Sequence, residues 1–255
     1  MNSDQESAPL AESPIIEAVF DFKVELPPDL DFSDILENAI GRFGEHYPTR
    51  IKIMRHTLRM SLEEDDHPSL DEADSTTGLR FDNPEGNQLI QVRQDGFSFN
   101  RLAPYVSFDD YLPEVRRCWE LYREVFQPVM VRRISLRYIN RILIPISGDG
   151  TAPLGEFVTV APRLPEIEGV SMAGFMSQVQ LRETDHELIA NMTLTGQPIA
   201  DGNTDAPMIL DIDTFQNGSF DPDSQEIWDS FDLLRRLKNR IFRGSLSPQC
   251  LQRYQ

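Results

Sequence analysis

The segment formed by residues 131–144 constrains the fold of this chain more than any other feature. Its sequence, VRRISLRYINRILI, alternates apolar and polar residues almost without a break. Such alternation is typical of an antiparallel strand with one face on a hydrophobic core and the other toward water or a ligand. The apolar face carries Ile134, Leu136, Tyr138 and Ile142, and the polar face carries Arg133, Ser135, Arg137 and Arg141.

The same kinds of pattern predict the other secondary-structure elements. Alternating or short apolar runs predict eight further strands, at 15–26, 51–62, 78–82, 88–93, 96–102, 175–183, 187–195 and 208–215. Apolar residues at helical spacing predict three helices, at 33–43, 110–126 and 222–242. Asp221 followed by Pro222 is a typical helix start. The acidic segment 63–74 holds seven acids and no Lys or Arg, and it predicts a solvated loop.

The order of these elements repeats, since each half reads strand, connection, strands, helix. Both long helices also open with Ser-Phe-Asp, at Ser107 and Ser219. We therefore expect an α+β fold of two tandem similar halves that form a long curved antiparallel sheet with helices on one face. This order resembles the TATA-binding-protein-like and helix-grip topologies, which carry no DNA-binding function with them. The expected divisions are a disordered tail 1–13, halves 14–126 and 127–245, and a C-terminal tail 246–255.

Composition and charge narrow the class of protein. The 255 residues are 40% hydrophobic and 26% charged, as in ordinary globular proteins. No apolar run approaches the ~20 residues of a membrane span, and the N-terminus lacks the features of a signal peptide. We therefore expect a cytoplasmic protein with two free thiols, Cys118 and Cys250. The formal net charge of −18 makes nucleic acid an unfavourable partner and argues against binding to an anionic membrane.

Three segments resemble a family of uncharacterised, sporadically distributed bacterial proteins of about 260 residues. They are Ser-Pro-Ile-Ile-Glu-Ala at 13–18, Leu-Arg-Tyr-Ile-Asn-Arg-Ile at 136–142, and the terminal helix with the Ser-Pro pair at 247–248 that follows it. The family carries no established reaction. Its patchy distribution implies an accessory role, such as defence or conflict with mobile elements.

The arginines of strand 131–144 are the main candidates for a binding surface. A planar guanidinium bonds a carboxylate or phosphate in two places, which suits a phosphate, a nucleic-acid strand or an acidic partner. The alternative is a solvated face on which these arginines pair with carboxylates of neighbouring strands, each pair contributing roughly 0.2–1 kcal/mol. The candidate binding residues are Arg133, Arg137, Arg141, Arg55, Arg59, Glu17 and Asp21, and Asp211 and Asp213 are further carboxylates for cross-strand pairing.

Motifs of catalysis and metal binding are missing from the sequence. The order Asp21-Phe-Lys23-Val-Glu25 departs from the Glu-x-Glu-x-Lys of triphosphate-tunnel enzymes, and the four histidines share no metal-ligand spacing. There is no Gly-rich phosphate loop and no nucleophile elbow. We therefore predict no catalytic residue, no metal and no cofactor.

The resulting prediction is a non-enzymatic binding or scaffold protein that holds a protein partner, or another copy of itself, on the open sheet face. Two alternatives stay open. One is a metal-dependent enzyme acting on a phosphorylated small molecule at the arginines and carboxylates. The other is a single-strand nucleic-acid binder that would stack bases on Phe97 and Phe99.

Overall fold

The computed structural model describes residues 10–61, 69–148, 150–163, 167–170, 172–199 and 202–255, with the backbone alone for 56–61 and 69–74. The strands in this part of the chain are β1 (Ile15–Glu25), β2 (Thr49–Ser61), β3 (Ser69–Asp82), β4 (Gln88–Arg93), β5 (Gly96–Leu102), β6 (Met130–Pro145), β7 (Met176–Glu183), β8 (Leu188–Gly196) and β9 (Asp205–Phe220). The helices are α1 (Phe32–Phe43), α2 (Phe108–Phe126), α3 (Leu154–Phe157), α4 (Glu226–Ser245) and α5 (Pro248–Gln252).

All nine described strands form one antiparallel sheet in the order β2-β3-β4-β5-β1-β6-β9-β8-β7. Strands β1 and β6 pair at its centre, with Phe20 opposite Leu136. The first half of the chain lies on one side of this pair and the second half on the other. The predicted fold class, an α+β protein built on a large open antiparallel sheet, is confirmed.

The strand order is similar on the two sides of the centre. Outward from the centre the strands run β1, β5, β4, β3 on one side and β6, β9, β8, β7 on the other. The halves also differ, because β2 adds a strand to the first half, and α1 has 12 residues where α3 has four. A tandem duplication therefore stays a prediction.

The helices pack on one face of the sheet because alternate side chains of the strands are apolar. Phe20 and Phe22 of β1 are fully buried against α2 and α4. Phe22 stacks on Trp119 of α2 with ring centroids 4.3 Å apart and meets Phe231 of α4 at 5.2 Å. The Ser107 side chain caps α2 by accepting a hydrogen bond from the Asp110 amide. This packing leaves the opposite face of the sheet without a helix among the described residues.

Several predicted boundaries are wrong; the strand predicted at 208–215, for example, extends over Asp205–Phe220. Helix α4 begins at Glu226 and not at 222, because the Asp221 carboxylate accepts from the Asp223 amide at 2.8 Å and closes a turn ahead of the helix. The acidic segment 63–74 is not all loop, because β3 begins at Ser69 and its backbone pairs with β2 as far as Ser61. Backbone pairing near a sheet edge tolerates charged side chains. Residues 62–68 lie outside the described part of the chain.

The described ends of the chain pack together on the second half. Residues 1–9 of the predicted disordered tail lie outside the described residues. Leu10 packs against the apolar cluster formed around β6, β8 and β9, and the Glu12 amide donates to the Tyr254 carbonyl at 3.1 Å. The predicted C-terminal tail, 246–255, contains α5, whose Cys250 is fully buried. Cys250 thus belongs to the core, and the partly buried Leu251 and Tyr254 pack against it.

Candidate binding surface

We call the sheet face that carries no described helix the open face. Because side chains alternate along strands, the strand registers place one polar series on this face. Asp21 of β1, for example, lies between Ser98 of β5 and Ser135 of β6. Described cations and carboxylates occur here in comparable numbers: Lys23, Arg55, Arg80, Arg93, Arg133, Arg137, Arg141 and Arg182 with Glu17, Asp21, Glu25, Asp82, Asp205, Asp211 and Asp213. The open face is therefore far less acidic than the chain as a whole.

Arg137 forms the best-defined ion pair of this face. Its Nε donates to Asp211 Oδ1 at 2.9 Å and its Nη2 to Asp211 Oδ2 at 2.6 Å. These two parallel bonds, with the charge of Asp211, raise the pKa of the Arg137 guanidinium further above its usual range. The Arg137 side chain is still about half exposed. Asp211 therefore orients this guanidinium without covering it.

Arg133 is held more tightly. Its Nη2 donates to Asp213 Oδ2 at 2.8 Å, and its guanidinium carbon lies 4.2 Å from the centre of the Phe215 ring. Burial raises the pKa of Asp213 above its ordinary value, and the charge of Arg133 opposes that shift. Arg133 therefore has a carboxylate and an aromatic ring as partners. Its guanidinium is less accessible to a ligand than that of Arg137.

Glu17 and Asp21 of β1 pair away from β6, whereas Glu25 at the end of β1 accepts from Arg132 of β6. Asp21 accepts a hydrogen bond from Arg93 of β4, and Glu17 Oε1 accepts from Asn100 Nδ2 at 2.6 Å. Arg93 was not among the residues that sequence reasoning selected. The signal that could have found it is the alternation of apolar Ile90 and Val92 with polar Gln91 and Arg93, which puts Arg93 on the face opposite the core.

The remaining candidate arginines separate into two places. Arg141 is exposed near the end of β6, and among the described residues its guanidinium has no ion-pair partner. Arg55 lies on β2, and four strands separate β2 from β6. Arg59 lies on the same strand opposite Asp71, and its side chain is outside the described part. The structure thus brings Arg133, Arg137 and Arg141 together along one strand, with Arg55 elsewhere.

The open face offers ionic contacts to a ligand. Within the described residues no group of three or more His, Cys, Asp or Glu side chains is placed to hold a metal ion. No described helix is long and apolar enough to cross a membrane.

Comparison with known protein families finds no match. A search of curated proteins also finds no significant match.

Proposed function

We propose that this chain is a non-enzymatic binding protein that holds an extended acidic segment of a protein partner along β6, on the open face. The observation that carries the proposal is the pair formed by Arg137 and Arg141. Both are exposed on one face of a strand whose other face lies in the core. The backbone of β6 is therefore fixed, and the two guanidinium groups project from a rigid support.

Arg137 keeps donors for a ligand although it is paired. A guanidinium has five N–H donors in all, and Asp211 accepts from two of those of Arg137, the Nε–H and one N–H of Nη2. The remaining donors lie on the Nη1 side. Arg141 has all of its donors free of ion pairs among the described side chains. Two-point contacts to carboxylates are thus available at both positions.

The spacing of the two arginines favours an extended ligand. Positions four residues apart on a strand are separated by ~13 Å. A compact metabolite does not span that distance, whereas an extended peptide has the same rise per residue. A peptide with carboxylates four residues apart therefore matches Arg137 and Arg141 together.

Net charge limits how such a partner is captured. At −18 the whole chain repels an acidic segment at long range. Salt screens this repulsion over about 8–10 Å at physiological ionic strength, while the contacts at the arginines are shorter than that. Binding would therefore depend on local arginine contacts and not on long-range attraction.

Charge reversal of Arg141 tests the proposal. Arg141→Glu should abolish binding of an acidic peptide and leave the melting temperature unchanged, because the side chain is exposed and unpaired in the described structure. The matched control is Arg240→Glu, which changes an exposed arginine on α4, on the other face of the sheet. Normal peptide binding by Arg141→Glu would refute the proposal.

A second candidate function is self-association through β7, and a specific observation favours it. This strand lies at the edge of the sheet and has exposed apolar side chains, with Met176 75%, Val179 39% and Leu181 40% exposed. An exposed apolar edge is a template for a further strand. A second copy paired antiparallel with Gln180 opposite Gln180 would place Val179 opposite Leu181 twice.

The oligomeric state tests this candidate. Light scattering after size-exclusion chromatography should show a dimer for the natural chain and a monomer for Val179→Lys, since a buried lysine would face an apolar pair. A natural chain that stays monomeric at high concentration would exclude the candidate.

A further inference from the structure

A cavity opens at the end of the sheet where the turn between β4 and β5 meets β1, β2 and β3. Its volume is about 390 Å³, within the range of small-molecule sites. The residues that line it are Lys23, Arg55, Thr77, Arg93, Gln94 and Asp95. Three of the lining side chains are cationic and one is a carboxylate, which is unexpected in a chain of net charge −18.

One cross-strand row explains why cations meet here. Arg93 of β4 lies opposite Gly78 of β3 on one side and Gly96 of β5 on the other, and Gly96 lies opposite Lys23 of β1. No side chain of β5 therefore separates Arg93 from Lys23. Glycine is required at Gly96, because its φ of +156° and its approach to β1 would put a Cβ 2.0 Å from the Phe22 carbonyl oxygen.

Arg93 is fixed at the base of the cavity. Its Nη2 donates to Asp21, its Nη1 donates to Ser98 Oγ at 3.0 Å, and its Nε donates to Asp95 Oδ1 at 3.3 Å. The Arg93 side chain is only 17% exposed. This residue therefore supplies a fixed positive charge and not a flexible one.

Asp95 occupies the centre of the cationic group from an exposed turn. Besides its bond with Arg93, its Oδ2 accepts from Lys23 Nζ at 2.6 Å. The Asp95 side chain is 61% exposed, so a soluble anion has access to the same two cations. Burial alone would raise the pKa of Asp95, but Lys23 and Arg93 hold it below its ordinary value. The carboxylate is therefore ionised and stands where a ligand anion would stand.

Arg55 adds a third cation, which has no counter-ion among the described side chains. A β-bulge in β3 opposite Ile53 and Met54 leaves Thr77 as the extra residue, and such a bulge bends its strand, here close to Arg55. Arg55 is exposed and has no ion-pair partner in the described part of the chain. Among the described side chains, one cation of the cavity is thus not neutralised.

We propose that this cavity binds a compact oxyanion, the phosphate or pyrophosphate group of a small molecule, through Lys23 and Arg55 with Arg93 behind them. The anion takes the place of the Asp95 carboxylate. This site is independent of the partner proposed for β6, because Arg137 and Arg141 do not line the cavity.

The competition with Asp95 selects the chemical class of the ligand. Asp95 is tethered beside Lys23 and Arg93, so its effective concentration is high and another single carboxylate gains little by replacing it. A phosphate carries a charge of about −1.5 to −2 at pH 7 and three acceptor oxygens. It can therefore contact Arg55 as well as Lys23, which the Asp95 carboxylate does not do.

Calorimetric titration with pyrophosphate, and separately with inorganic phosphate, tests the proposal at low ionic strength. The natural chain should bind pyrophosphate at one saturable site. Arg55→Gln and Lys23→Gln should each weaken binding by about fivefold or more. Asp95→Asn should strengthen it, because the competing carboxylate is removed. Arg240→Gln on α4 is the matched control and should bind as the natural chain does.

A binding site predicts that Asp95→Asn raises the affinity for pyrophosphate and that Arg55→Gln lowers it. A purely structural cluster of charges predicts no such opposite changes. Arg93 is left unchanged in these variants, since its loss would leave Asp21 without its ion-pair partner. No binding by either the natural chain or Asp95→Asn would overturn the proposal. Unchanged affinity in both Arg55→Gln and Lys23→Gln would also overturn it. Neither result bears on the Arg141→Glu test of peptide binding.

Discussion

Arg137 of β6 bonds Asp211 of β9 and not Asp213, the residue directly opposite it. The two bonds fix the plane of a half-exposed guanidinium, so the pair has a measurable but small effect on stability. In a double-mutant cycle with Arg137→Ala and Asp211→Ala, we expect a coupling free energy of about 0.5–1 kcal/mol. Urea denaturation gives the four free energies of unfolding. A coupling near zero would show that Asp211 does not orient Arg137 in solution.

Trp119 should contribute most strongly to the core. It is almost fully buried, stacks on Phe22 at 4.3 Å, and lies 5.5 Å from Tyr122. Trp119→Ala should lower the free energy of unfolding by about 3–5 kcal/mol, as large-to-small changes in cores do. Trp228→Ala is the control and should lower it less, because Trp228 is only partly buried. Equal losses in the two variants would argue against this packing.

The burial of Lys238 should make the stability of the folded protein depend on pH. The residue is buried on α4 with its ammonium 3.8 Å from the centre of the Tyr138 ring. Burial, with the neighbouring charges of Arg235 and Arg243, lowers its pKa from 10.5 to about 7. Between these two values the unfolded chain binds more protons, so the contribution of Lys238 to stability rises with pH. At pH 7 and below its penalty is at its largest.

Lys238→Met should therefore stabilise the protein by roughly 2–4 kcal/mol near pH 7 and by much less near pH 10. The melting temperatures of both proteins, measured from pH 6 to pH 10, provide the check. A difference that stays constant over this range would mean that Lys238 is not buried as described.

The two cysteines should be unreactive in the folded protein. Both are fully buried, and burial raises the pKa of the Cys118 thiol to about 12 and that of Cys250 to about 11. Thiolates are the reactive species, so a disulfide reagent at pH 8 should label neither thiol quickly. In denaturant both should react. Rapid labelling of one thiol in the native protein would show that its region opens.

The sheet could be predicted from the sequence because apolar and polar residues alternate along its strands, and the apolar series indicates the buried face. The strand predicted at 131–144 is observed as Met130–Pro145, and its apolar series lies in the core. Local patterns mispredicted the start of α4, because the Asp221 side chain accepts a hydrogen bond from the Asp223 amide and forms a turn there. They also failed at 69–74, where an acidic composition hides a strand whose backbone pairs with β2.

The ion-pair partners on the open face could be predicted only in part. The alternative of cross-strand pairing named Glu17, Asp21, Asp211 and Asp213 as partners for the arginines of β6. Asp211 and Asp213 are partners of Arg137 and Arg133, whereas Glu17 and Asp21 bond Asn100 and Arg93. Which carboxylate each arginine bonds depends on the register of β6 and β9, which no local pattern contains. The cavity at Lys23 could not be predicted from local patterns either, because its lining comes from β1, β2, β3, β4 and the β4–β5 turn.

Arg137 and Arg141 of β6 are proposed to hold an extended acidic partner. The most direct test is a fluorescence anisotropy titration with a labelled ten-residue peptide of alternating Glu and Thr, using the natural chain and the Arg137→Glu, Arg141→Glu double variant. We expect saturable binding by the natural chain, weakened by salt, and none by the double variant, which should stay folded but melt at a somewhat lower temperature because it loses the Arg137–Asp211 pair. Arg240→Glu should bind normally. Equal binding by the natural chain and the double variant would refute the proposed role of these two arginines.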